Sequence, residues 1–250
     1  MKCILTKGAE KNTMKENVLD YYIGLDGQMT ERTIAQKLAV TIFAGIKFLF
    51  DRFMSISGLI IAAPLMVIIA IAIKLDSKGP VLFKQERTGK GGKNFYIYKF
   101  RTMVKNNNVH DFSKADEHTK VGKILRKTSL DEIPQLYSIA IGKMSFIGPR
   151  PWIPDYYENM NEEQRHRTDV RPGLTGLAQC MGRNNITIID KINYDLEYIR
   201  NYSIVQDLKI IILTIKCVFT GSGADAGKGT IENELKELKR KNKQINNISK

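Results

Sequence analysis

The feature that most constrains this chain is FMSISGLIIAAPLMVIIAIAI, residues 53–73, a run without a single charged side chain. As a helix it is long enough to cross the ~30 Å hydrocarbon core of a bilayer. Two features argue against a simple crossing. Pro64 falls mid-run, where it removes a backbone donor and kinks a helix. Both flanks are basic, with Lys47 and Arg52 before the run and Lys74, Lys78, Lys84 and Arg87 after it. Basic flanks favour the cytoplasmic side, so both ends ask for the same face. A helix that enters, breaks at Ala63–Pro64 and returns satisfies both features. The sequence therefore favours a re-entrant helix-break-helix over residues 47–78, with a single spanning helix as the alternative.

The remaining segments arrange themselves around that element. Ahead of it, Ile34, Leu38, Ile42 and Ile46 recur every fourth residue and predict a helix along the interface or leading into the apolar run. Residues 1–29 carry no pattern, and their polar, acid-containing start does not read as a signal peptide. After it, VLFKQERTG and NFYIYKFRTM flank GKGG and predict a β-hairpin over 81–103. A polar loop follows at 104–118. Short helices are expected at 119–127, 132–141 and 155–168, a loop at 170–184, and helices at 187–202 and 206–220. The last of these, with LKIIILTIKCVF, is too short and basic to span and should pack on the domain or lie at the interface. The tail from Gly221 is glycine-rich, then lysine-rich, and reads as disordered or as a charged, exposed helix. The expected fold is α+β and mostly helical: an extension (1–46), the membrane element (47–78), a compact domain with a small β-hairpin (79–220) and a charged tail (221–250).

Composition narrows the partners. Thirty-nine Lys and Arg against 26 Asp and Glu leave a formal charge of +13. That points to an anionic partner: nucleic acid, an anionic membrane surface or a phosphorylated small molecule. Nucleic acid is disfavoured, since no binding motif is present and the apolar run has no role there. Cys3, Cys180 and Cys217 are scattered and odd in number, which argues against a disulfide framework and fits a reducing compartment. His110, His118 and His166 lack metal-ligand spacing, so a metal would be a hard cation on carboxylate and phosphate oxygens.

The candidate chemistry sits in TSLDEIPQL, residues 128–136. Ser129 and Glu132 have the spacing of a capping box. Pro134 opposes it, because from a Ser129 cap it would occupy the fifth helical position, where a donor is needed. A helix starting nearer Asp131 to Ile133 puts both carboxylates at its entrance, where exposed N–H groups favour anions. Counter-charge is available from Lys99, Arg101, Arg126, Arg150 in GPRP, Arg171 in RPG and Arg183 in GRN. Arginines held in Pro/Gly loops make good phosphate clamps, because the guanidinium fork engages two oxygens at fixed geometry.

Taken together, KFLFDRF, LDSKGPVLFKQERTGKGGKNFYIYKFRTM, GKILRKTSLDEIPQL, GKMSFIGPRP, VRPGLTGLAQCMGRN and DLKIIILTI resemble the monotopic phosphoglycosyl transferases, the bacterial sugar transferase family, over about residues 47–220. The resemblance implies transfer of a phospho-sugar from a UDP-sugar to a polyprenyl phosphate, typically undecaprenyl phosphate, with release of UMP. It implies two steps through a covalent aspartyl-phosphosugar intermediate, with Mg²⁺, as the first membrane step of a capsule, exopolysaccharide, lipopolysaccharide or glycoprotein pathway. Asp131 would be the nucleophile and Glu132 its partner, supporting the metal or a proton transfer. Both carboxylates are candidate metal ligands, and Gln179 joins the cationic residues as substrate-binding. The implied location is the bacterial inner membrane, with the catalytic domain on the cytoplasmic face among anionic lipids. Two departures stand out: Ala63 precedes Pro64 where the family commonly has serine, and Met181 stands where asparagine often precedes the glycine of GRN. A non-catalytic, membrane-associated scaffold of a glycan assembly system is the competing class.

Overall fold

In a computed structural model, the described residues are 18–23, 29–104, 118–182, 186–220 and 231–248. They are mostly helical, with three two-stranded sheets.

Helix α1 (Ile34–Asp76) begins at a capping box: Thr33 Oγ1 accepts from Gln36 N–H, and the Gln36 side chain accepts from Thr33 N–H. Its 43 residues run through Pro64 and amount to ~65 Å of helix. The helix-break-helix expected at Ala63–Pro64 is therefore corrected to one uninterrupted helix. The proline removes the donor to one carbonyl, and packing on either side holds the remaining turns. The helix starts at Ile34, so residues 34–46 of the expected extension are its first turns, leading into the apolar run as their four-residue spacing predicts.

One stripe of α1 is packed along its length. Lys47, Asp51, Ser55, Ile69 and Ile73 are buried, and Gly58 bridges them, lying so close to α3 that an added Cβ would come within 3.4 Å of the Leu136 side chain. Steps of three and four residues place these on one helical face. Near the start of the apolar run, Lys47 pairs with Asp207 of α8 (Ile204–Thr220), and Asp51 accepts from the Ser145 hydroxyl at 2.6 Å. At the far end, Asp76 accepts from Val121 N–H at 2.9 Å, and Arg101 donates to the carbonyls of Ser77 (2.8 Å) and Lys78 (2.7 Å). Both ends of the run thus rest on the same domain. Other faces of the helix are bare: Ile34, Phe53, Ile60, Ile61 and Ile68 are each more than 60% exposed. Among the described residues α1 alone is long and apolar enough to cross a bilayer.

Strands β3 (Leu82–Thr88) and β4 (Asn94–Phe100) form the expected hairpin, antiparallel from Leu82↔Phe100 to Thr88↔Asn94. Strand alternation puts Phe95, Ile97 and Lys99 of β4 on one face, and pairing adds Arg87 of β3 opposite Phe95. The connection turns on Gly91 and Gly92, both at positive φ. The polar loop expected at 104–118 lies largely outside the described residues. Helix α2 (Lys120–Thr128) ends at Ser129, which adopts a left-handed φ of 57°. A 3-10 turn (Leu130–Gln135) leads into α3 (Leu136–Ala140).

The parallel pair β5 (Ser145–Ile147) and β6 (Gly173–Thr175) ties the two loop-bearing segments together. The helix expected at 155–168 splits into α4 (Pro154–Glu158), α5 (Glu162–Arg165) and a 3-10 turn (His166–Thr168), because Asn161 forms a fresh capping box with Gln164. Helix α6 (Leu177–Met181) follows β6, and α7 (Ile188–Arg200) supplies Ile192, Leu196, Tyr198 and Ile199 to the core. A small hairpin of β1 (Tyr21–Ile23) and β2 (Met29–Glu31) docks there through Arg32, which donates to the Arg200 carbonyl at 2.7 Å. That places a cation at the C-terminal end of α7.

The tail also differs from expectation. Helix α9 (Ile231–Ile248) buries Ile231 and Leu238 against Met160, Ile188 and Ile192. Glu234 accepts from Tyr156 Oη at 2.5 Å and Lys191 Nζ at 2.7 Å. It is a charged helix with a docked apolar stripe, invisible to composition because apolar residues are few within it.

Candidate active site

The TSLDEIPQL segment folds differently from either sequence reading. Ser129 caps nothing with its side chain; its backbone closes α2, donating to the Leu125 and Arg126 carbonyls. The segment then winds as a 3-10 turn, whose three-residue period tolerates Pro134 and places Glu132 and Gln135 on one face. Leu130 and Ile133 pack against Ile69, Ile73, Phe100 and Leu125. The two carboxylates are therefore bolted between α1 and the hairpin.

Glu132 is committed. Its Oε1 accepts from Lys99 Nζ at 2.5 Å and from Arg150 Nη2 at 2.9 Å. Burial would raise its pKa, but Arg150 and Lys99 outweigh burial and hold the carboxyl well below the usual carboxylate range. Arg150 in turn is held above its ordinary value by Glu132. Lys99 is pushed down by burial, with Glu132 pulling the other way.

Asp131 is the reverse case. Its carboxylate makes no hydrogen bond or ion pair among the described residues. Burial raises its pKa; Lys99 pulls it back, Glu132 adds to the rise, and Arg126 and Arg150 oppose it. The outcome is an unengaged anion within the field of three cations. A carboxylate of this kind can attack an electrophile or take a hard cation; Glu132 is ill-placed for either, its charge being already matched twice.

The other expected residues divide. Lys99 and Arg150 meet at Glu132, and Arg126, whose Nη1 lies 3.1 Å from His118 Nε2, acts on Asp131 through its charge. Arg101 instead serves α1: its guanidinium is fixed on Ser77 and Lys78. Arg171 stacks on the Phe48 ring of α1, 4.4 Å from its centroid. Gln179 keeps both amide atoms buried without a partner, beside Gly176. Arg183 lies outside the described residues. Ala63 and Pro64 are exposed on α1.

Two residues were missed. Arg87, read only as a flanking charge, lies on the same hairpin face as Lys99 and donates to the Pro151 carbonyl at 3.3 Å. Burial, then Arg150, pushes its pKa down to about 10. Gln135 is 3% exposed on the Glu132 face of the turn. The period-two register of the hairpin could have found the first; the second required knowing that the turn is 3-10.

For a hard divalent cation, no cluster of three or more His, Cys, Asp or Glu side chains exists among the described residues. The donor set fits a cation held through Asp131 and completed by phosphate and water oxygens, the usual manner for Mg²⁺. It does not fit an all-protein cage.

Known proteins resemble this chain over most of its length. Residues 42–221 match the family described as bacterial sugar transferase. The chain is 44% identical over 193 residues to the galactosyl transferase CpsE of Streptococcus agalactiae, covering 69% of this chain and 43% of that protein. It is 43% identical over 181 residues to a UDP-glucose:undecaprenyl-phosphate glucose-1-phosphate transferase of Klebsiella pneumoniae, covering 68% and 39%. These relatives are more than twice the matched length. The uncharacterized sugar transferase EpsL of Bacillus subtilis is nearer in size, 39% identical over 180 residues that cover 71% of this chain and 89% of that protein. With α1 from residue 42 onward, the hairpin, the Asp131–Glu132 turn and the arginine loops inside the matched span, the chain belongs to the bacterial sugar transferase family.

Proposed function

We propose that this protein is a phosphoglycosyl transferase that moves a phospho-sugar from a UDP-sugar to a polyprenyl phosphate such as undecaprenyl phosphate, releasing UMP. The observation that carries this reading is the asymmetry of the carboxylate pair, one engaged by two cations and the other free beside them.

As a carboxylate, Asp131 needs no base to act as a nucleophile. Its Oδ attacks the phosphorus nearer the sugar, forming an aspartyl-phosphosugar while the bridging P–O bond breaks and its electrons leave with UMP. An oxygen of the polyprenyl phosphate then attacks the same phosphorus and expels Asp131 as carboxylate. Lys99, Arg126 and Arg150 offset repulsion between Asp131 and the diphosphate and stabilise charge on the departing UMP. Glu132 holds Lys99 and Arg150 in place; a carboxyl so far below its ordinary pKa carries no proton to transfer near neutrality. Mg²⁺, held through Asp131 and phosphate oxygens, would supply further neutralisation of the diphosphate.

The same reading lays α1 along the cytoplasmic face of a bacterial inner membrane, its bare apolar face in the lipid and its packed stripe on the domain. What supports it is that both ends of the apolar run are tied to one domain through Lys47, Asp51, Asp76 and Arg101. A spanning helix would have to release one of those sets. The net charge of +13 suits anionic lipid heads.

UMP release by purified protein, from a panel of UDP-sugars with and without undecaprenyl phosphate and Mg²⁺, tests the reaction. Unchanged release by Asp131→Asn would refute the role assigned to that residue. Cysteines near residues 45 and 78, in a variant without native cysteines, should both resist an impermeant reagent applied outside the cell. Labelling of only one means a spanning helix.

A further inference from the structure

Between the inner face of the hairpin and the Leu130–Gln135 turn lies a recess lined by Arg87, Ile97, Lys99, Gln135, Arg150 and Pro151. Its polar inventory is lopsided. Gln135 is 3% exposed and its side-chain NH2 has no hydrogen-bond partner. Arg87 Nε is likewise buried and unpartnered, although the rest of that guanidinium is fixed on Pro151 and Gln85. Lys99 and Arg150 also face this space, and Oε1 of Glu132, the acceptor they share, is taken by both. Three cations and a carboxamide therefore border this space, and two buried donors among them, Gln135 Nε2 and Arg87 Nε, have no partner. A buried donor without a partner costs on the order of 1–3 kcal/mol, which a protein tolerates where a ligand is to meet it.

We propose that this recess seats a phosphoryl oxygen of a substrate, with Gln135 Nε2 and Arg87 Nε as its dedicated donors. The seat rests on the transferase reading, which it deepens, and it is separate from the attacking carboxylate. Gln135 lies one 3-10 turn beyond Glu132 on the same face, so an oxygen there shares Lys99 and Arg150 with Glu132. Water or a chloride ion could use one donor, whereas guanidinium forks and an amide lining the same recess suit the several oxygens of a phosphoryl group. The phosphoryl group could belong to the nucleotide donor or to the lipid acceptor, and the chemistry of the seat is the same for both.

The test is thermal melting of the full chain in detergent, titrated separately with inorganic pyrophosphate, UMP and farnesyl monophosphate. At least one anion should stabilise the wild type. Gln135→Leu should raise that anion's half-saturating concentration about tenfold while melting without ligand stays unchanged or rises, since an unpartnered donor has been removed. Gln135→Glu should abolish the response and raise ligand-free melting, as the new carboxylate pairs with Arg87 and Lys99. A loss confined to pyrophosphate and UMP assigns the seat to the donor, and one confined to farnesyl monophosphate assigns it to the acceptor; either supports it. Wild-type half-saturation in both variants, or no stabilisation by any of the three anions, overturns it. Wild-type protein that never releases UMP yet keeps a Gln135-dependent anion response would sink the transferase reading and leave the seat standing.

Discussion

Two buried polar clusters lie along α1, and they are built on opposite accounting. Beneath the first half of the helix, Lys47 meets Asp207, Asp207 accepts from Tyr198 Oη at 2.8 Å, and Asp51 takes the Ser145 hydroxyl. Each of these contacts closes on another protein group. Beside the second half, Lys99, Arg150 and Arg87 gather around one engaged carboxylate, with donors left over and Asp131 unbonded. The first cluster is complete without a ligand and holds the helix. The second has an excess of positive charge that only an incoming anion balances. Buried charge by itself does not mark a reactive site; an unbalanced set of donors and acceptors does.

Substitutions can break this contrast at graded cost. Asp131→Asn should lower UMP release by at least ~10³-fold, or about 4 kcal/mol of barrier, with little change in melting. Lys47→Ala strands the buried carboxylate of Asp207 and should destabilise the fold by ~3–5 kcal/mol, read by thermal or denaturant unfolding. Replacing both partners by apolar residues, as in Lys47→Met with Asp207→Leu, should recover much of that loss. If the double variant is as unstable as the single one, the cluster is not self-contained. Leu238→Ala, in the docked α9, should cost ~2–4 kcal/mol and leave membrane association intact, a result for unfolding and fractionation to decide.

The pH dependence separates the two neighbouring carboxylates at the smallest scale. The reaction needs Asp131 ionised, so turnover should fall as pH drops through a value above the ordinary 3.8. Glu132 shifts the other way. Its pairing stabilises the fold fully above its ordinary pKa of 4.5, and that contribution fades as pH falls below 4.5 toward its depressed value. Glu132→Gln should therefore flatten the loss of stability on the acid side of 4.5, and should lower turnover at neutrality by ~10–100-fold through misplacement of Lys99 and Arg150. Urea unfolding across the acid range and a pH–rate profile measure the two limbs.

How much of this was readable from residues alone follows from the range of each signal. The hairpin was legible because strand alternation and a glycine turn are local, and so were α7 and α8. Arg150 and the carboxylate pair stood out because prolines fix their segments, and Lys99 because it lies on a hairpin strand that the local alternation revealed. Arg101 was misread since its partners, Ser77 and Lys78, are 24 and 23 residues away and meet it only after α1 docks. The uninterrupted α1 was missed for a similar reason: proline's local cost was visible, and the tertiary packing of Lys47 through Ile73 that offsets it was not. Ser129 shows a local rule failing locally, because closing α2 took the backbone that a capping box needed.

Leu130 and Ile133, on either side of Asp131 and Glu132, pack into the cluster that holds Ile69 and Ile73 of α1. On the proposed reading, the attacking carboxylate sits on a turn that rests on the helix assigned to the lipid. An acceptor whose phosphate lies at the headgroup level can reach it without its isoprenoid chain leaving the bilayer. The proposed transferase would then meet that acceptor by lateral diffusion in two dimensions, and the relevant concentration would be a mole fraction among lipids. Diluting undecaprenyl phosphate with inert lipid at constant bulk concentration should slow turnover, whereas diluting the whole suspension of vesicles with bound enzyme should not.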